Sequence, residues 1–326
     1  MAATLSPRAA ADFPGKANGS DGTRSELARE VLRWKEKRNA VLLAHNYQEA
    51  EIQDVADFVG DSLGLAQAAS KTKADVILFA GVRFMAETAA ILNPGKRVLM
   101  PDPEAGCTLA DMITADQLRA WKAEHPGAVV VSYVNTTAEV KAESDYCCTS
   151  TNALKVVEAI PPGKEILFLP DRYLGAYIQQ KTGRPMRIWP GYCPVHVMVR
   201  TEDILALKQE HPKAEFLMHP ECGCMSSCIH LADRVLSTEG MVRHVAASPR
   251  TEFIIGTETG ILHKMERLRP DAAFYPAAEG AVCGHMKRNT LEKVLWSLED
   301  LQHEVRVPEP VAARARRAIQ RMLDLA

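Results

Sequence analysis

Residues 41–47 read VLLAHNY, a short apolar run that ends in polar, ring-bearing side chains. Similar stretches occur twice more, where residues 129–135 read VVVSYVN and residues 216–221 read FLMHPE. Each run has the length and composition of a strand that is buried on both faces, as in a parallel sheet. Polar residues at the carboxyl end of such a strand lie where open parallel sheets bind ligands. The three stretches therefore indicate three sheets that present polar groups at the same edge.

Strand-like and helical patterns alternate along the rest of the chain. Further strand-like runs lie at residues 76–80, 98–100, 166–169 and 253–255. Amphipathic helical patterns lie at residues 51–59, 84–92, 115–124 and 202–210, and two more close the chain at residues 291–301 and 311–325. This alternation predicts the α/β class.

Two kinds of residue recur at matched distances from the first strand of each stretch. Hydroxyl side chains follow His45, Tyr133 and His219 by 17, 17 and 18 residues, at Ser62, Ser150 and the pair Ser237 and Thr238. Single cysteines follow the same three residues by 62, 60 and 64 positions, at Cys107, Cys193 and Cys283. The repeat predicts three similar α/β lobes with parallel sheets in a pseudo-threefold arrangement, and an active site at the central interface.

The repeat also divides the chain. We expect lobe 1 at residues 24–107 plus 284–326, lobe 2 at 108–193 and lobe 3 at 194–283. The terminal helices are expected to pack back on lobe 1. Residues 1–23 are rich in Ala, Gly, Pro and Ser, and they predict a flexible arm.

Composition excludes several classes of protein. The chain has 326 residues, of which 47% are hydrophobic, and its 41 acidic and 39 basic residues give a net charge of −2. That balance argues against nucleic-acid binding. The apolar runs are shorter than the ~20 residues of a membrane helix, and the N-terminus does not resemble a secretory signal. We therefore expect a cytoplasmic protein, in which eight cysteines are not a disulfide scaffold.

The three repeated cysteines admit two interpretations. Three thiolates that converge from three lobes suit a [4Fe–4S] cluster with one iron left open for substrate. Alternatively, each is an inert buried thiol, since free cysteine is among the most buried residue types. The matched spacing favours the cluster.

The other cysteines form two groups. Cys222, Cys224 and Cys228, with His230 nearby, are compatible with a zinc site, a thiol/disulfide pair or a packed loop. A Cys224–Cys228 disulfide is the most plausible bridge, and we expect its formation to displace Glu221. Cys147 and Cys148 end a predicted strand, where adjacent side chains point to opposite faces, so we expect each to be a buried thiol.

The polar residues also admit two interpretations. His45, Tyr133 and His219 would individually be ordinary core residues, and the hydroxyl groups would be helix caps. Together, three hydroxyl-bearing helix starts that face one centre favour a small anionic substrate, which acid–base chemistry would process beside a Lewis-acidic metal.

Six motifs resemble the quinolinate synthase family. They are AHNYQ at residues 44–48, GDSL at 60–63, MAETA at 85–89, YVN at 133–135, HPEC at 219–222 and FYPA at 274–277. They occur in order and at near-family spacing over about residues 25–326. Cys224 and Cys228 depart from the pattern, in a loop lengthened after HPE.

The resemblance implies a trilobed enzyme of NAD biosynthesis that condenses iminoaspartate with dihydroxyacetone phosphate, with loss of phosphate and two waters. It implies a [4Fe–4S] cluster held by Cys107, Cys193 and Cys283, and proton transfer by Tyr47 and Glu221. The implied substrate-binding residues are His45, Ser62, Tyr133, Asn135, Ser150, His219 and Thr238, with Ser62 and Ser150 near the phosphate, and we add Ser237 from the repeat.

Other functions stay open at this point. Other trilobed iron–sulfur enzymes, of the diphthamide-forming and hydroxymethylbutenyl diphosphate reductase types, also have one cysteine per lobe. They are not expected to carry both the HNY and the HPE motif. A non-enzymatic iron–sulfur or thiol redox sensor is the alternative from another class. Docking of L-aspartate oxidase to deliver iminoaspartate, the oligomeric state, oxygen sensitivity and the order of chemical steps are not predicted.

Overall fold

The structure is a computed structural model, and it describes residues 21–326. Of the predicted arm at residues 1–23, all but the last three residues lie outside this range, and those three begin the first helix.

The first sheet-containing unit corresponds to lobe 1. Its elements are α1 (Asp21–Lys37), β1 (Ala40–His45), α2 (Ala50–Val55), β2 (Phe58–Gly60), α3 (Ser62–Lys71), β3 (Val76–Ala80), α4 (Arg83–Leu92) and β4 (Arg97–Leu99). The four strands are parallel and lie in the order β2-β1-β3-β4. The central strands are short apolar runs buried on both faces, as the sequence predicts.

The same order of elements repeats twice. Lobe 2 contains α5 (Ala115–Glu124), β5 (Val129–Tyr133), α6 (Ala138–Ala142), β6 (Tyr146–Cys148), α7 (Ala153–Glu158), β7 (Ile166–Leu169), α8 (Arg172–Thr182) and β8 (Arg187–Ile188). Lobe 3 contains α9 (Thr201–Glu210), β9 (Glu215–Met218), α10 (Met225–Cys228), β10 (Arg234–Val235), α11 (Thr238–Ala247), β11 (Glu252–Gly256), α12 (Ile261–Leu268) and β12 (Ala273–Pro276). Both sheets are parallel, in the orders β6-β5-β7-β8 and β10-β9-β11-β12. The predicted α/β class with three similar lobes is therefore confirmed.

An aspartate before the second strand of each lobe repeats every 88 residues, at Asp57, Asp145 and Asp233. Each carboxylate accepts a backbone N–H of the first strand, from Leu42 at 2.7 Å, Val130 at 2.8 Å and Phe216 at 2.8 Å. This contact turns the chain alongside the first strand. The helix predicted at residues 51–59 is therefore wrong in its second half. Helix α2 ends at Val55, and residues 58–60 form a strand that pairs with β1.

Two terminal helices complete the fold, α13 (Leu291–Asp300) and α14 (Glu309–Asp324). Helix α13 packs on lobe 1, beside α1 and β3. Helix α14 lies between two lobes, since Arg316 donates to Ile91 O of lobe 1 at 2.8 Å and Asn152 of lobe 2 donates to Met322 O at 2.9 Å. The expectation that the terminal helices pack back on lobe 1 therefore describes α13, whereas α14 contacts lobe 2 as well as lobe 1.

One apolar core joins the lobes. It includes Leu43, Val131 and Leu217, one residue from each first strand. This continuous core holds the carboxyl edges of the three sheets together. Within residues 21–326, no helix has both the length and the apolar character that crossing a membrane requires.

Candidate active site

A cavity of about 460 Å³ lies where the three sheets meet. It is lined by the three repeated cysteines, by Tyr47 and Glu221, and by seven of the eight predicted substrate-binding residues: His45, Ser62, Tyr133, Asn135, Ser150, His219 and Thr238. Ser237 is the exception. Its hydroxyl accepts the Gly240 N–H at 3.2 Å and caps α11, which takes it out of the lining.

The three cysteine loops have the same backbone geometry. In each lobe, a residue that follows the third strand donates its N–H to the carbonyl two residues before the cysteine: Arg83 to Ala105 at 2.8 Å, Arg172 to Gly191 at 2.8 Å and Thr259 to Ala281 at 3.0 Å. Each cysteine carbonyl accepts the N–H four residues later, from Asp111 at 3.2 Å, Val197 at 3.2 Å and Lys287 at 3.1 Å. A single 3₁₀ turn follows each cysteine. The offsets in the sequence thus correspond to one loop used three times.

The three thiols lie close enough to one another at the cavity to interact electrostatically. All three cysteines are half-buried and free of disulfides. Burial raises the pKa of the Cys107 thiol, and the nearby Cys193 and Cys283 raise it further. Three sulfur donors that influence one another at one cavity wall fit a metal centre, because a metal displaces the thiol protons when it binds.

Glu221 and His196 form a buried ion pair at the base of the cavity. His196 Nδ1 lies 3.0 Å from Glu221 Oε2, and both side chains are almost fully buried. Burial opposes ionisation of both groups. Even so, His196 lowers the pKa of Glu221 to about 2, while Cys193, Tyr47 and Glu221 raise the pKa of His196 well above its ordinary value. Each group therefore favours the charged form of the other.

The ion pair continues to Tyr47 through Thr257. His196 Nε2 lies 2.9 Å from Thr257 Oγ1, which lies 2.5 Å from the Tyr47 hydroxyl. His196 Nε2 also lies 3.3 Å from the Tyr47 hydroxyl, so the imidazole, Thr257 and Tyr47 are all within hydrogen-bond distance of one another. Burial raises the pKa of Tyr47, so its phenol stays protonated.

His45 and His219 are neutral and have a defined tautomer. Burial lowers the pKa of each imidazole to about 3. Each Nδ1 accepts the backbone N–H two residues later, from Tyr47 at 3.2 Å and from Glu221 at 3.4 Å. The proton of each ring is therefore on Nε2. Both residues are hydrogen-bond donors toward the cavity, and His219 Nε2 lies 3.2 Å from Ser150 Oγ.

Three hydroxyl-bearing segments that precede helices meet at the opposite wall. The Thr151 hydroxyl donates to Asp61 Oδ2 at 2.7 Å and lies 2.8 Å from Ser237 Oγ, so that one residue from each lobe takes part. Ser62 and Thr238 are the first residues of α3 and α11, each ten residues long. Their free N–H groups favour an anion. Asn135 adds a buried amide oxygen that has no hydrogen-bond partner among residues 21–326.

Sequence reasoning missed His196 and Thr257. His196 follows Cys193 by three positions, and the equivalent residues after Cys107 and Cys283 are Ala110 and Met286. A search for repeated residues overlooks a group that only one lobe carries. The available signal was a histidine one turn after a candidate ligand.

The remaining cysteines are separate from the cavity. Cys224 and Cys228 are joined by a disulfide, so they cannot both serve as ligands of a zinc ion. With this bond in place Glu221 lies 3.0 Å from His196. Cys147 and Cys148 are buried, as expected, and burial raises the pKa of Cys147 to about 12.

Comparison with known proteins agrees with the geometry. The family model for quinolinate synthetase A protein matches residues 29–324. Quinolinate synthase of Thermus thermophilus is 56% identical over 299 residues, which are 91% of this chain and 96% of the relative. Quinolinate synthase of Pyrobaculum aerophilum is 54% identical over 306 residues, 92% of this chain and 100% of the relative. Quinolinate synthase 2 of Methanosarcina acetivorans is 51% identical over 299 residues. The chain is a member of the quinolinate synthase family.

Proposed function

We propose that the protein is a quinolinate synthase that condenses iminoaspartate with dihydroxyacetone phosphate. One carbon–carbon bond and one carbon–nitrogen bond join the substrates, and phosphate and two waters leave. The observation that carries the proposal is the cavity itself, where one cysteine from each of three equivalent loops opens onto Tyr47 and Glu221. Family membership supports the same reaction.

The proposed cofactor is a [4Fe–4S] cluster on Cys107, Cys193 and Cys283. Three thiolates leave one iron open, and such an iron supplies Lewis-acid chemistry to a carbonyl or hydroxyl oxygen. Among the described residues, the one group whose donor atoms all lie within 4.8 Å of one another is Cys193, His196 and Glu221. A single ion would fit that compact group, whereas a cluster needs the wider set of three sulfurs.

The substrates are anionic, and the cavity offers matching donors. The Nε2–H groups of His45 and His219 can hold carboxylates. Ser62 and Ser150, near the start of α3 and of α7, are proposed for the phosphate, and Thr238 begins the facing helix. Tyr133 and Asn135 complete the lining from lobe 2. Of the assigned groups, His219 and Ser150 contact each other at 3.2 Å, so a bound substrate would replace that contact.

Proton transfer is assigned to Glu221 and Tyr47. Glu221 is a carboxylate at neutral pH and can accept a proton from a substrate carbon or nitrogen. Tyr47 keeps its proton and can donate it to a leaving hydroxyl group. The Thr257–His196 connection between them allows the two sites to exchange a proton and be reset after turnover.

The proposal also places the reaction in the cytoplasm, where reduced thiols are available for a cluster. Iminoaspartate would come from an oxidase that acts on L-aspartate. Transient contact with L-aspartate oxidase would limit hydrolysis of this unstable imine.

The test is product formation by anaerobically purified protein. With both substrates present, we expect quinolinate and phosphate in a ratio of one to one. The Cys283→Ser variant is the matched control, since it keeps the cavity but removes one ligand. Protein that carries a full cluster and forms no quinolinate from both substrates would contradict the proposal.

A further inference from the structure

Glu258 is a fully buried carboxylate one residue after Thr257. Its Oε1 accepts the backbone N–H of Cys283 at 3.0 Å, and its Oε2 accepts that of Gly260 at 2.6 Å. The Lys287 ammonium lies 3.3 Å from Oε1. A buried charge is tolerated when it is paired and hydrogen-bonded in this way, and removal of one partner is then costly.

Lys287 extends this contact to the proposed catalytic tyrosine. Its Nζ donates to the backbone carbonyl of Tyr47 at 2.7 Å. A continuous path therefore runs from Cys283 through Glu258 and Lys287 to Tyr47. It crosses from lobe 3 to lobe 1 and is separate from the Thr257 path, which reaches the Tyr47 hydroxyl.

Gly260 shows how closely this path is packed. A β-carbon at residue 260 would lie 2.7 Å from Lys287 Nζ, 2.8 Å from Glu258 Oε2 and 2.9 Å from the carbonyl carbon of Tyr47. Contacts this short do not occur in packed proteins. The absence of a side chain at residue 260 lets the three groups meet.

The equivalent positions in the other lobes lack this contact. Val82 and Asp171 occupy the same place, immediately before the residue that donates to the cysteine loop. Val82 carries no polar atoms on its side chain. The Asp171 carboxylate instead caps α8 by accepting the Leu174 N–H at 2.8 Å. The contact is therefore particular to Cys283 and is not a requirement of the repeated loop.

We propose that Glu258 is a positioning residue that couples the Cys283 loop to Tyr47 through Lys287. Glu258 thereby fixes the positions of a proposed cluster ligand, Cys283, and of the proposed proton donor, Tyr47. This inference rests on the proposed function. Since net charge near a cluster sets its reduction potential, Glu258 should lower that potential and Lys287 should raise it.

The test compares three variants of the full-length, anaerobically reconstituted protein: Glu258→Gln, Lys287→Met and the control Glu279→Gln. Glu279 is exposed and lies four residues before Cys283, so its variant removes the same charge outside the path. The readouts are iron content, the cluster reduction potential by spectroscopic titration, and kcat and KM.

We expect Glu258→Gln to raise the reduction potential and to lower kcat about 10–100-fold, the usual cost of losing an outer-shell partner. Lys287→Met should lower the potential and also reduce kcat, with full iron content. Loss of the cluster in folded Glu258→Gln protein would equally support the positioning of Cys283, and Lys287→Met then remains the quantitative test.

The proposal is overturned if Lys287→Met or cluster-bearing Glu258→Gln behaves like Glu279→Gln in both potential and kcat, or if their potentials shift in the same direction. Wild-type protein that makes no quinolinate would instead count against the proposed function. The two failures are therefore distinguishable.

Discussion

At the scale of single residues, the chemistry rests on groups that burial would neutralise if they stood alone. Glu221 keeps its charge because His196 lies 3.0 Å away, and Tyr47 keeps its proton because burial raises its pKa. The two proposed proton-transfer groups are thus in complementary states at neutral pH. A condensation with loss of water needs one group that accepts a proton and one that donates it.

Removal of either group should lower the rate more than the affinity. General acid–base catalysis is typically worth about 10²–10⁴ in rate, so kcat of Tyr47→Phe and Glu221→Gln should fall by about that factor. Ser150→Ala and Thr238→Ala should mainly weaken substrate binding, by about 1–3 kcal/mol each. Steady-state kinetics at equal iron content separates the two classes. A near-wild-type kcat for Glu221→Gln would show that Glu221 takes no part in proton transfer.

Thr257 provides a sharper test, because its side chain lies outside the cavity lining. Thr257→Val keeps the shape and removes the hydroxyl that contacts both His196 and Tyr47. We expect kcat to fall at least about tenfold, as for loss of a proton-transfer partner, and Thr257→Ser to restore it. If the valine variant turns over like wild type, proton exchange does not depend on Thr257, and the direct contact of 3.3 Å between His196 Nε2 and the Tyr47 hydroxyl remains as the route.

The cysteines that the repeat singles out do lie together in the structure. Cys107, Cys193 and Cys283 follow from spacing, and they line one cavity. His196, Thr257 and Glu258 do not follow from it, because each has a different residue at the equivalent positions. Ser237 follows the repeat but is used as a helix cap. A hydroxyl at a helix start can serve the backbone or a ligand, and spacing does not distinguish these roles.

At the scale of elements, the Cys193 loop lies in close contact with the strand end before it. Gly191 lies so near that a β-carbon there would approach the Pro170 carbonyl oxygen to 2.5 Å, whereas a β-carbon on Gly106 would meet nothing within 3.8 Å. Both glycines lie one or two residues before a cysteine. The Cys193 loop therefore excludes a β-carbon at residue 191, whereas the equivalent residues of the other two loops are Ala105 and Ala281.

We predict that Gly191→Ala moves the Cys193 loop and weakens iron binding about 10–100-fold, like loss of an outer-shell contact. Gly106→Ala is the matched control and should bind iron normally. Iron per chain after anaerobic reconstitution and desalting measures the difference. Equal iron per chain in both variants would show that the Cys193 loop accepts a β-carbon at residue 191 without losing iron.

Central strands and long helices are predictable because they carry many residues with one periodicity. The strands β8 and β10 have two residues each, and β2 has three. Such edge strands show too little pattern to detect, and pairing with a neighbour defines them. Asp57, Asp145 and Asp233 were a usable signal, since their spacing of 88 residues marks the start of each second strand.

At the scale of the whole molecule, α14 connects lobes 1 and 2 and adds an ion cluster. Glu143 lies 3.1 Å from Arg314 of this helix and 3.0 Å from Arg119. Its partial burial alone would raise its pKa, but Arg119, Lys122 and Arg314 lower it. A carboxyl group with a lowered folded-state pKa stabilises the fold above its unfolded pKa, and this contribution is lost as pH falls through the folded value.

Glu143→Gln should therefore lower the free energy of unfolding by about 1 kcal/mol at pH 7, with a smaller difference in high salt. The difference should disappear in acid, below the folded-state pKa of Glu143. Denaturant unfolding of both proteins across this pH range gives the comparison. A difference that stays constant into acid would mean that the packing of residue 143, and not its charge, is responsible.

The position of α14 shows what local patterns leave undetermined. The apolar stripe of this helix includes Ala315, Ala318 and Met322, and it predicts a buried face. It does not say which lobe covers that face. The three-lobe division follows from the repeat, whereas the docking of the terminal helices depends on contacts between residues that are distant in sequence.

The central claim is that three equivalent loops hold one cluster, and iron content after anaerobic reconstitution tests it most directly. We predict about four irons per wild-type chain, as for a cysteine-bound cubane. Cys107→Ser, Cys193→Ser and Cys283→Ser should each lose normal loading and quinolinate formation, while Cys147→Ser keeps both. A Cys193→Ser variant with a full, active cluster would contradict the claim, as would a wild-type protein that binds one iron and loses it in His196→Ala.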